Sequence, residues 1–487
     1  MAGAATTQPT GASLAFTTND PVTKQALALV EAGKFAEAQT LLATDDGHAD
    51  SEVARAREEM KEIIGRTRRD YSLNASALVS KLKPSIPDVT EADIERWRAA
   101  GELQHRMIDG QIAYFRREPS NLFRFSEDAK RRRDGAVTKK AGAEDDKEKF
   151  ELHQHLAAVI AEAEKTGKTE VLPVRHRVTF SVTVAAGTRG AKAGSVIRAW
   201  LPFPQEYRQQ RDVKLIRSTP EGGDVAPNAV EGNPVTGAPQ RSVYFEQRVT
   251  DPSKPVKFEV EFEYTSSAYY PILNDALAGP ASAGPSFSSY LAERPPHILF
   301  TKDLRDTVAR VVGDETNPLI KARKIWHHLD RELRYHAEEE YSTIPSFSAR
   351  CLATGRGDCG VQTMLLITML RAAGVPARWQ SGWQTKPGST NMHDWAEFYV
   401  EPWGWLPIDQ SYGRRVSDDE KVREFYFGHQ DSYRMIVNLD YGRALVPAKE
   451  SLRSEPADFQ RGEVEIDGKN LYFDEWDYKF EFEQSGG

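Results

Sequence analysis

The hydrophobic periodicity of the chain changes near Lys168, and this change constrains the fold more than any other feature of the sequence. Before it, apolar residues recur every three or four positions, a pattern typical of amphipathic helices. After it, apolar and polar side chains alternate along residues 178–184 and again along residues 256–264. Such alternation predicts strands with one buried face. The sequence therefore predicts a helical region followed by a region of β-structure.

The first region, residues 1–168, is expected to be α-helical. Helical patterning runs through residues 21–42 and 52–67, and a further helix is predicted from Thr90 to about Phe115. Thr90 and Asp93 have the spacing of a capping box, in which each side chain bonds the other residue's backbone N–H.

A β-sandwich is predicted for residues 169–272, because two sheets packed face to face bury one face of every strand. A third region, residues 296–487, combines amphipathic helices with short aromatic-rich strands and includes a C-terminal β-extension. The predicted fold class is thus α+β and multidomain. A chain of 487 residues also exceeds the size at which a single core stops growing.

Charge and hydropathy exclude several classes of protein. The formal net charge of −8 gives no general attraction to nucleic acid, so we expect no nucleic-acid partner. The apolar stretch from Met364 to Leu370 is far shorter than the ~20 residues that span a bilayer, so no integral membrane segment is expected. Residues 1–16 lack the basic and apolar parts of a secretory signal. Since such a signal can be trimmed, an exported location is favoured over a cytoplasmic one.

One of the two cysteines occupies a position suited to catalysis. Asp358 is a predicted N-cap, and Cys359 falls in the first turn of the apolar helix that follows. The positive end of a helix, helped by an imidazolium, lowers a thiol pKa from about 8.5 to roughly 3.5–7.5. The backbone N–H of Cys359 would also serve as one oxyanion donor. Cys351 has no such setting and is expected to be a packed thiol.

A base for this thiol is expected at His393, which opens a strand 34 positions after Cys359. Along that strand His393, Trp395 and Glu397 face one side while Asp394 faces the other, so Asp394 is a poor choice for orienting its neighbour. Asp409 ends the next strand, where hairpin pairing would set its carboxylate beside the imidazole. The residues predict a Cys359, His393, Asp409 triad.

Four segments together resemble the transglutaminase-like superfamily. They are GDCG at residues 357–360, LRAAGVPAR at 370–378, HDWAE at 393–397 and GWLPID at 404–409. The resemblance implies a papain-like core in which the nucleophile helix packs on an antiparallel sheet. It also implies that Cys359 is the nucleophile, His393 the acid/base and Asp409 its orienting partner, acting on amides through a thioester. Asp409 is followed by Gln410 and Ser411, where many bacterial members have Pro-Thr.

The resemblance further implies a second oxyanion donor before the nucleophile, often an aromatic residue, and Tyr335 is our candidate. Trp383 and Trp395 are candidates for the substrate groove, although most of the tryptophans are expected in the core. No cofactor and no metal are expected, because the histidines lack carboxylate or cysteine partners at ligand spacing. The expected partner is a protein or peptide substrate, with no prediction for the oligomeric state.

Two functions follow from these features. The first is hydrolysis of amide or peptide bonds, with transfer of the acyl group to an amine as the variant. The second is a non-catalytic scaffold that binds a peptide or glycan through the sandwich and an inert papain-like core. The complete set of Cys359, His393 and Asp409 favours the enzyme.

Overall fold

The structure is a computed structural model that describes residues 13–44, 51–136, 140–230, 236–281 and 287–485. Most of the N-terminal stretch used above to judge a secretory signal, residues 1–12, lies outside the described residues. Within the described ranges, no helix is both long enough and apolar enough to cross a membrane.

The N-terminal region is mainly helical, as predicted. Thr90 and Asp93 form the predicted capping box at the start of a helix. That helix ends at Ala99, not near Phe115, because Gly101 adopts a positive φ just beyond it. The chain then forms a hairpin that turns at Asp109 and Gly110, both with positive φ. The elements are α1 (Pro21–Glu31), α2 (Phe35–Ala43), α3 (Ser51–Asp70), α4 (Ala75–Leu82), α5 (Glu91–Ala99), β1 (His105–Ile108), β2 (Gln111–Tyr114), α6 (Glu118–Phe125), α7 (Glu127–Ala136) and α8 (Lys140–Thr166).

The second region is built of strands whose alternate residues are buried, as their periodicity predicts. Val178, Phe180 and Val182 lie in one apolar cluster with Phe258, Val260 and other residues of the facing strands. The strands are β3 (Glu170–Val184), β4 (Val196–Pro202), β5 (Gln210–Thr219), β6 (Asp224–Val225), β7 (Ser242–Arg248) and β8 (Val256–Tyr269).

The third region, here called the core domain, surrounds a helix that is buried from residue 360 to residue 371 between other helices and a sheet. Its elements are α9 (Ser288–Leu291), α10 (Lys302–Val312), α11 (Pro318–Glu332), β9 (Arg334–Tyr335), α12 (Phe347–Thr354), β10 (Arg356–Gly357), α13 (Cys359–Ala372), β11 (Ala377–Lys386), β12 (Ser389–Val400), β13 (Gly404–Ile408), α14 (Glu420–Arg423) and β14 (Arg434–Asn438). The buried helix is α13, and the antiparallel sheet has the order β13-β12-β11-β14. This is the helix-on-sheet arrangement that the sequence predicts.

The C-terminal strands correct the expected domain boundary, because they belong to the sandwich and not to the core domain. They are β15 (Glu463–Ile466), β16 (Lys469–Leu471) and β17 (Trp476–Ser485). β15 pairs with β4, and β17 pairs with β3 from Trp476 to Ser485. The two sandwich sheets have the orders β16-β15-β4-β7-β6 and β17-β3-β8-β5. Strand pairing across so many intervening residues leaves no local signal in the sequence.

The sheet of the core domain is covered on both faces. Ala396 and Phe398 pack in the same apolar cluster as α13. Further along the same face, Trp383 and Met435 join the apolar cluster of the sandwich. The opposite face carries Trp395 and Ile436, which pack with Tyr207 and Tyr290. The sandwich and the core domain therefore share a continuous apolar contact.

Gly382 provides a test of how closely β11 and β14 pack. A Cβ atom at this position would overlap the backbone carbonyl oxygen of Met435. We expect Gly382→Ala to lower the free energy of unfolding by about 3 kcal/mol. The reason is that a backbone atom cannot move aside to relieve the overlap as a flexible side chain can. Gly65→Ala, in helix α3 with open space around it, is the matched control and should raise stability by about 0.5–1 kcal/mol. Urea unfolding measures both, and equal midpoints for the two variants would contradict the packing.

Candidate active site

Cys359 is the first residue of α13, and Asp358 caps the helix as predicted. The Asp358 carboxylate accepts a hydrogen bond from the backbone N–H of Val361 at 3.2 Å. It also accepts one from the Tyr341 hydroxyl at 2.7 Å. The Cys359 thiol is half-buried at this end of the helix. The cap thus fixes the position of the thiol relative to the helix axis.

Position 360 must be glycine because other groups lie too close for a side chain. A Cβ on Gly360 would overlap the hydroxyl of Tyr341 and approach the Asp394 carboxylate. The small residue therefore lets Tyr341 reach the Asp358 cap. Sequence reasoning missed Tyr341, and its position in a short turn gave no signal.

The Cys359 thiol contacts Asp394 and not His393. Its Sγ donates a hydrogen bond to Asp394 Oδ2 at 3.1 Å. The other oxygen, Oδ1, accepts a hydrogen bond from Gln460 Nε2 at 2.8 Å. Asp394 lies on the face of β12 that also carries Ala396 and Phe398, which is the face that packs against α13. The alternation along this strand could have identified Asp394 as the β12 residue that faces the start of α13.

This environment raises the pKa of Cys359 well above its usual value, first through burial and then through the carboxylates of Asp394 and Asp358. The sequence predicts the opposite direction from the helix terminus and a neighbouring imidazolium. The difference arises because the neighbour is a carboxyl group, which disfavours a second negative charge. The thiol is therefore protonated in this state of the protein.

The carboxyl groups around the thiol also hold protons more tightly than usual. Burial, followed by the charge of Asp458, raises the pKa of Asp394 well above its usual value. Burial and the nearby Glu338 raise the pKa of Asp358 to about 7. Carboxylates brought together in a buried site cannot all ionise near neutral pH.

His393 and Asp409 form the predicted pair. His393 Nε2 lies 2.6 Å from Asp409 Oδ2, and the same carboxylate oxygen accepts a hydrogen bond from Arg434 Nη2 at 3.0 Å. Burial alone would raise the pKa of Asp409, but His393 and Arg434 outweigh it and lower the pKa below its usual range. Burial lowers the pKa of His393 despite the adjacent carboxylate. The pair is thus a neutral imidazole held by an ionised aspartate.

The structure brings His393 and Asp409 together, but not Cys359 and His393. Within the described ranges, no hydrogen bond joins the thiol to the imidazole. The imidazole faces Trp395 and Tyr412, on the opposite side of β12 from Asp394. Since Nε2 is taken by Asp409, Nδ1 is the ring nitrogen that is left for proton transfer.

A cavity of about 200 Å³ opens at the thiol. Tyr335, the candidate oxyanion donor, lines this cavity together with Cys359, Asp358 and Asp394. Partial burial and the adjacent Cys359 and Asp358 raise the pKa of the Tyr335 phenol, which keeps its proton available for donation. We call this cavity the thiol cleft.

Trp383 and Trp395 lie in the core and not along the thiol cleft. The Trp383 indole stacks on Phe480 with centroids 4.1 Å apart and donates to the Gln460 carbonyl. The Trp395 indole donates to Gln380 Oε1 at 2.6 Å and is 2% exposed. Neither is among the residues that line the cleft. Their contacts correct the expected role in substrate binding to a role in packing.

Cys351, by contrast, is buried as predicted, and burial raises the pKa of its thiol. It lies within α12 among apolar side chains of the core domain. This second thiol is therefore an internal reference for the reactivity of Cys359.

Comparison with known proteins identifies the class of the core domain. Residues 305–410 match the model of the Transglutaminase-like superfamily, which confirms the predicted resemblance for a segment of under a quarter of the chain. That segment contains Cys359, His393 and Asp409. It places the core domain among the transglutaminase-like folds and supports a cysteine-enzyme function in general terms.

Three individual proteins are similar over longer stretches. An uncharacterized protein of Haemophilus influenzae is 24% identical over 224 residues, which cover 38% of this chain and 59% of that protein, less than two thirds of its length. A candidate cysteine protease of Cytophaga hutchinsonii shares 13% identity and a TM-score of 0.42, over 65% of this chain and 92% of that one. The periplasmic domain of TgpA from Pseudomonas aeruginosa shares 15% identity and a TM-score of 0.26, over 54% of this chain and 93% of that one.

Replacing Asp394 by asparagine tests the electrostatic account of the thiol. The change removes the negative charge beside Sγ, so the thiol pKa should fall and the thiolate should form at lower pH. We expect the midpoint of the alkylation rate against pH, measured at Cys359 with iodoacetamide and peptide mass spectrometry, to fall by about one pH unit. Cys351 should stay unreactive in both folded proteins. An unchanged or higher midpoint would contradict this account.

Proposed function

We propose that this protein hydrolyses amide or peptide bonds, with Cys359 as nucleophile, His393 as acid/base and Asp409 as the group that orients His393. The observation that carries the proposal is the placement of Cys359 at the open end of a buried helix, on a sheet that also holds the His393–Asp409 pair. The family match over residues 305–410 supports the same class of chemistry.

In the proposed reaction the thiol proton of Cys359 passes to Nδ1 of His393, and the sulfur attacks the amide carbonyl carbon. The carbonyl π pair moves to the oxygen, where the backbone N–H of Cys359 and the hydroxyl of Tyr335 are the proposed donors. When the C–N bond breaks, His393 returns the proton to the leaving nitrogen and a thioester remains. Water then adds to the thioester, giving a carboxylic acid and restoring the thiol.

Asp394 is assigned the role of holding the thiol protonated before reaction. The 3.1 Å contact between Cys359 Sγ and Asp394 Oδ2 supports this role, as do the raised pKa values of both groups. Proton transfer to His393 then requires the thiol to leave Asp394. Substrate entering the thiol cleft is the proposed cause of that change.

Water is the proposed acceptor of the acyl group, because no feature of the sequence marks a site for an amine. A protein or peptide is the proposed substrate. An exported location remains a prediction.

The alternative is a non-catalytic scaffold with an inert thiol. It is favoured by one observation, the raised pKa of Cys359 in contact with a carboxyl group rather than an imidazole. The two functions differ in whether the thiol reacts through His393.

Substitution of each triad residue tests the enzyme. We expect Cys359→Ala and His393→Ala to lower the cleavage rate of a mixed peptide library by about a thousandfold or more, and Asp409→Asn to lower it strongly, because the three act as a unit. Cys351→Ala, the matched cysteine control, should keep full activity if it folds. Mass spectrometry of the library reads the products, and added monodansylcadaverine reports transfer to an amine.

Two results would overturn these assignments. Full cleavage by Cys359→Ala would exclude the proposed nucleophile. Retained cleavage in His393→Ala together with its loss in Asp394→Asn would make Asp394 the base. If no peptide is cleaved and Cys359 resists iodoacetamide up to high pH, the scaffold is the better description.

A further inference from the structure

A second cavity, of about 260 Å³, lies beside the thiol cleft and is rich in arginine. Its charged lining residues comprise five arginines and three carboxylates, which leaves an excess of positive charge in a protein whose net charge is −8. The arginines are Arg66, Arg69, Arg116, Arg117 and Arg461. We call this cavity the arginine pocket.

Two of these arginines are neutralised within the pocket. Arg116 pairs with Asp70 at 2.7 Å and with Glu340 at 3.3 Å. Arg69 pairs with Asp474 at 3.3 Å. These pairs use all three carboxylates of the lining.

Arg117 and Arg461 form no ion pair in the part of the chain that the structure describes, although the charge of Arg117 acts on the buried Asp358 carboxyl and offsets part of the rise in pKa that burial causes there. Arg461 donates from Nε to Met392 Sδ at 3.4 Å and lies over the ring of Phe473 at 4.6 Å. Neither residue forms an ion pair with Glu340, although all three line the pocket. Both residues are half-buried and line the arginine pocket.

Arg66 is a buried cation that forms no ion pair with any residue that the structure describes, and it lies over the ring of Tyr472 at 4.1 Å. It is 3% exposed, and its terminal nitrogens donate to the Ser342 hydroxyl and to the carbonyls of Arg453 and Ser454. Its buried Nε finds no hydrogen-bond acceptor among the described residues. A buried charge with an unsatisfied donor is costly unless an anion completes its surroundings.

The arginine pocket and the thiol cleft are adjoining parts of one groove. Arg117, Glu340, Arg461 and Phe473 line both. The cleft end is acidic, with Asp358, Asp394 and other carboxyl groups in its lining, whereas the far end is basic. A ligand with an amide at Cys359 would extend past Arg117 and Arg461.

We propose that the arginine pocket binds a carboxylate of the peptide substrate, either an acidic side chain or a terminal carboxylate, while an amide bond lies at Cys359. This proposal rests on the proposed function and adds its substrate class. Guanidinium groups bind carboxylates through paired, charge-assisted hydrogen bonds. Two unpaired guanidinium groups at the junction suit a single carboxylate.

The pocket also gives the N-terminal region a role in substrate choice. Arg66 and Arg69 belong to α3, and Arg116 and Arg117 lie between β2 and α6. Only Arg461 among the five comes from the C-terminal part of the chain. The helical region thus forms one wall of the groove that leads to Cys359.

Selection from a random hexapeptide library tests the proposal. The immobilised full-length protein carries Cys359→Ala, so that binding is read without cleavage, and mass spectrometry identifies the retained peptides. We expect acidic residues, or a free over an amidated C-terminus, to be enriched about tenfold at one position. Adding both Arg117→Ala and Arg461→Ala should remove the enrichment. Adding Arg248→Ala, an exposed arginine on the sandwich strand β7, should preserve it.

Several outcomes would overturn the proposal. The first is that peptides with carboxylates are not enriched. The second is that the enrichment survives loss of both arginines in a protein with an unchanged melting temperature. The third is that the protein binds inorganic phosphate but shows no preference for acidic peptides. The peptide selection does not depend on the thiol. If no acidic peptide is selected while Cys359 of the wild-type protein is alkylated normally, only the proposed role of the arginine pocket is rejected. Failure of alkylation with intact acidic selection would reject the enzyme alone.

Discussion

The complete burial of α13 is the constraint on which the rest of the core domain depends. Residues 360–371 are all enclosed, so the helix must be covered by α10 and α11 on one side and by the sheet on the other. Its first residue, Cys359, is half-buried and lines the thiol cleft. The backbone of Cys359 keeps a fixed position because any movement of the helix would disturb the whole core.

The two faces of β12 separate the groups that contact the Cys359 thiol from those that contact the His393 imidazole. One face carries Asp394 toward Cys359, and the other carries His393 toward Asp409 and Arg434. Adjacent residues of a strand must point apart, so the thiol meets a carboxyl group while the imidazole is held in a separate buried pair. The state described here is therefore one in which the parts of the proposed triad are present and not yet connected.

Much of this architecture follows from local sequence patterns. The alternation at 178–184, the cap at Asp358 and the hairpin that sets Asp409 beside His393 depend on neighbours within a few residues or one turn. The contacts that escaped prediction are long-range ones. β17 pairs with β3, from which it is separated by more than half of the chain. The contacts of Asp394 and Tyr341 depend on how α13 packs against the sheet. The tryptophan assignments failed because indole burial depends on which sheet covers the strand, which a single strand does not reveal.

The pairing of β17 with β3 makes the core domain an insertion within the sandwich. The ribosome delivers β3 early and β17 only after every residue of the core domain has emerged. Until then the β3 edge has no partner, and the groove wall formed around Arg461 is missing. The order of synthesis thus delays completion of the groove until all of α13 is already available to fold.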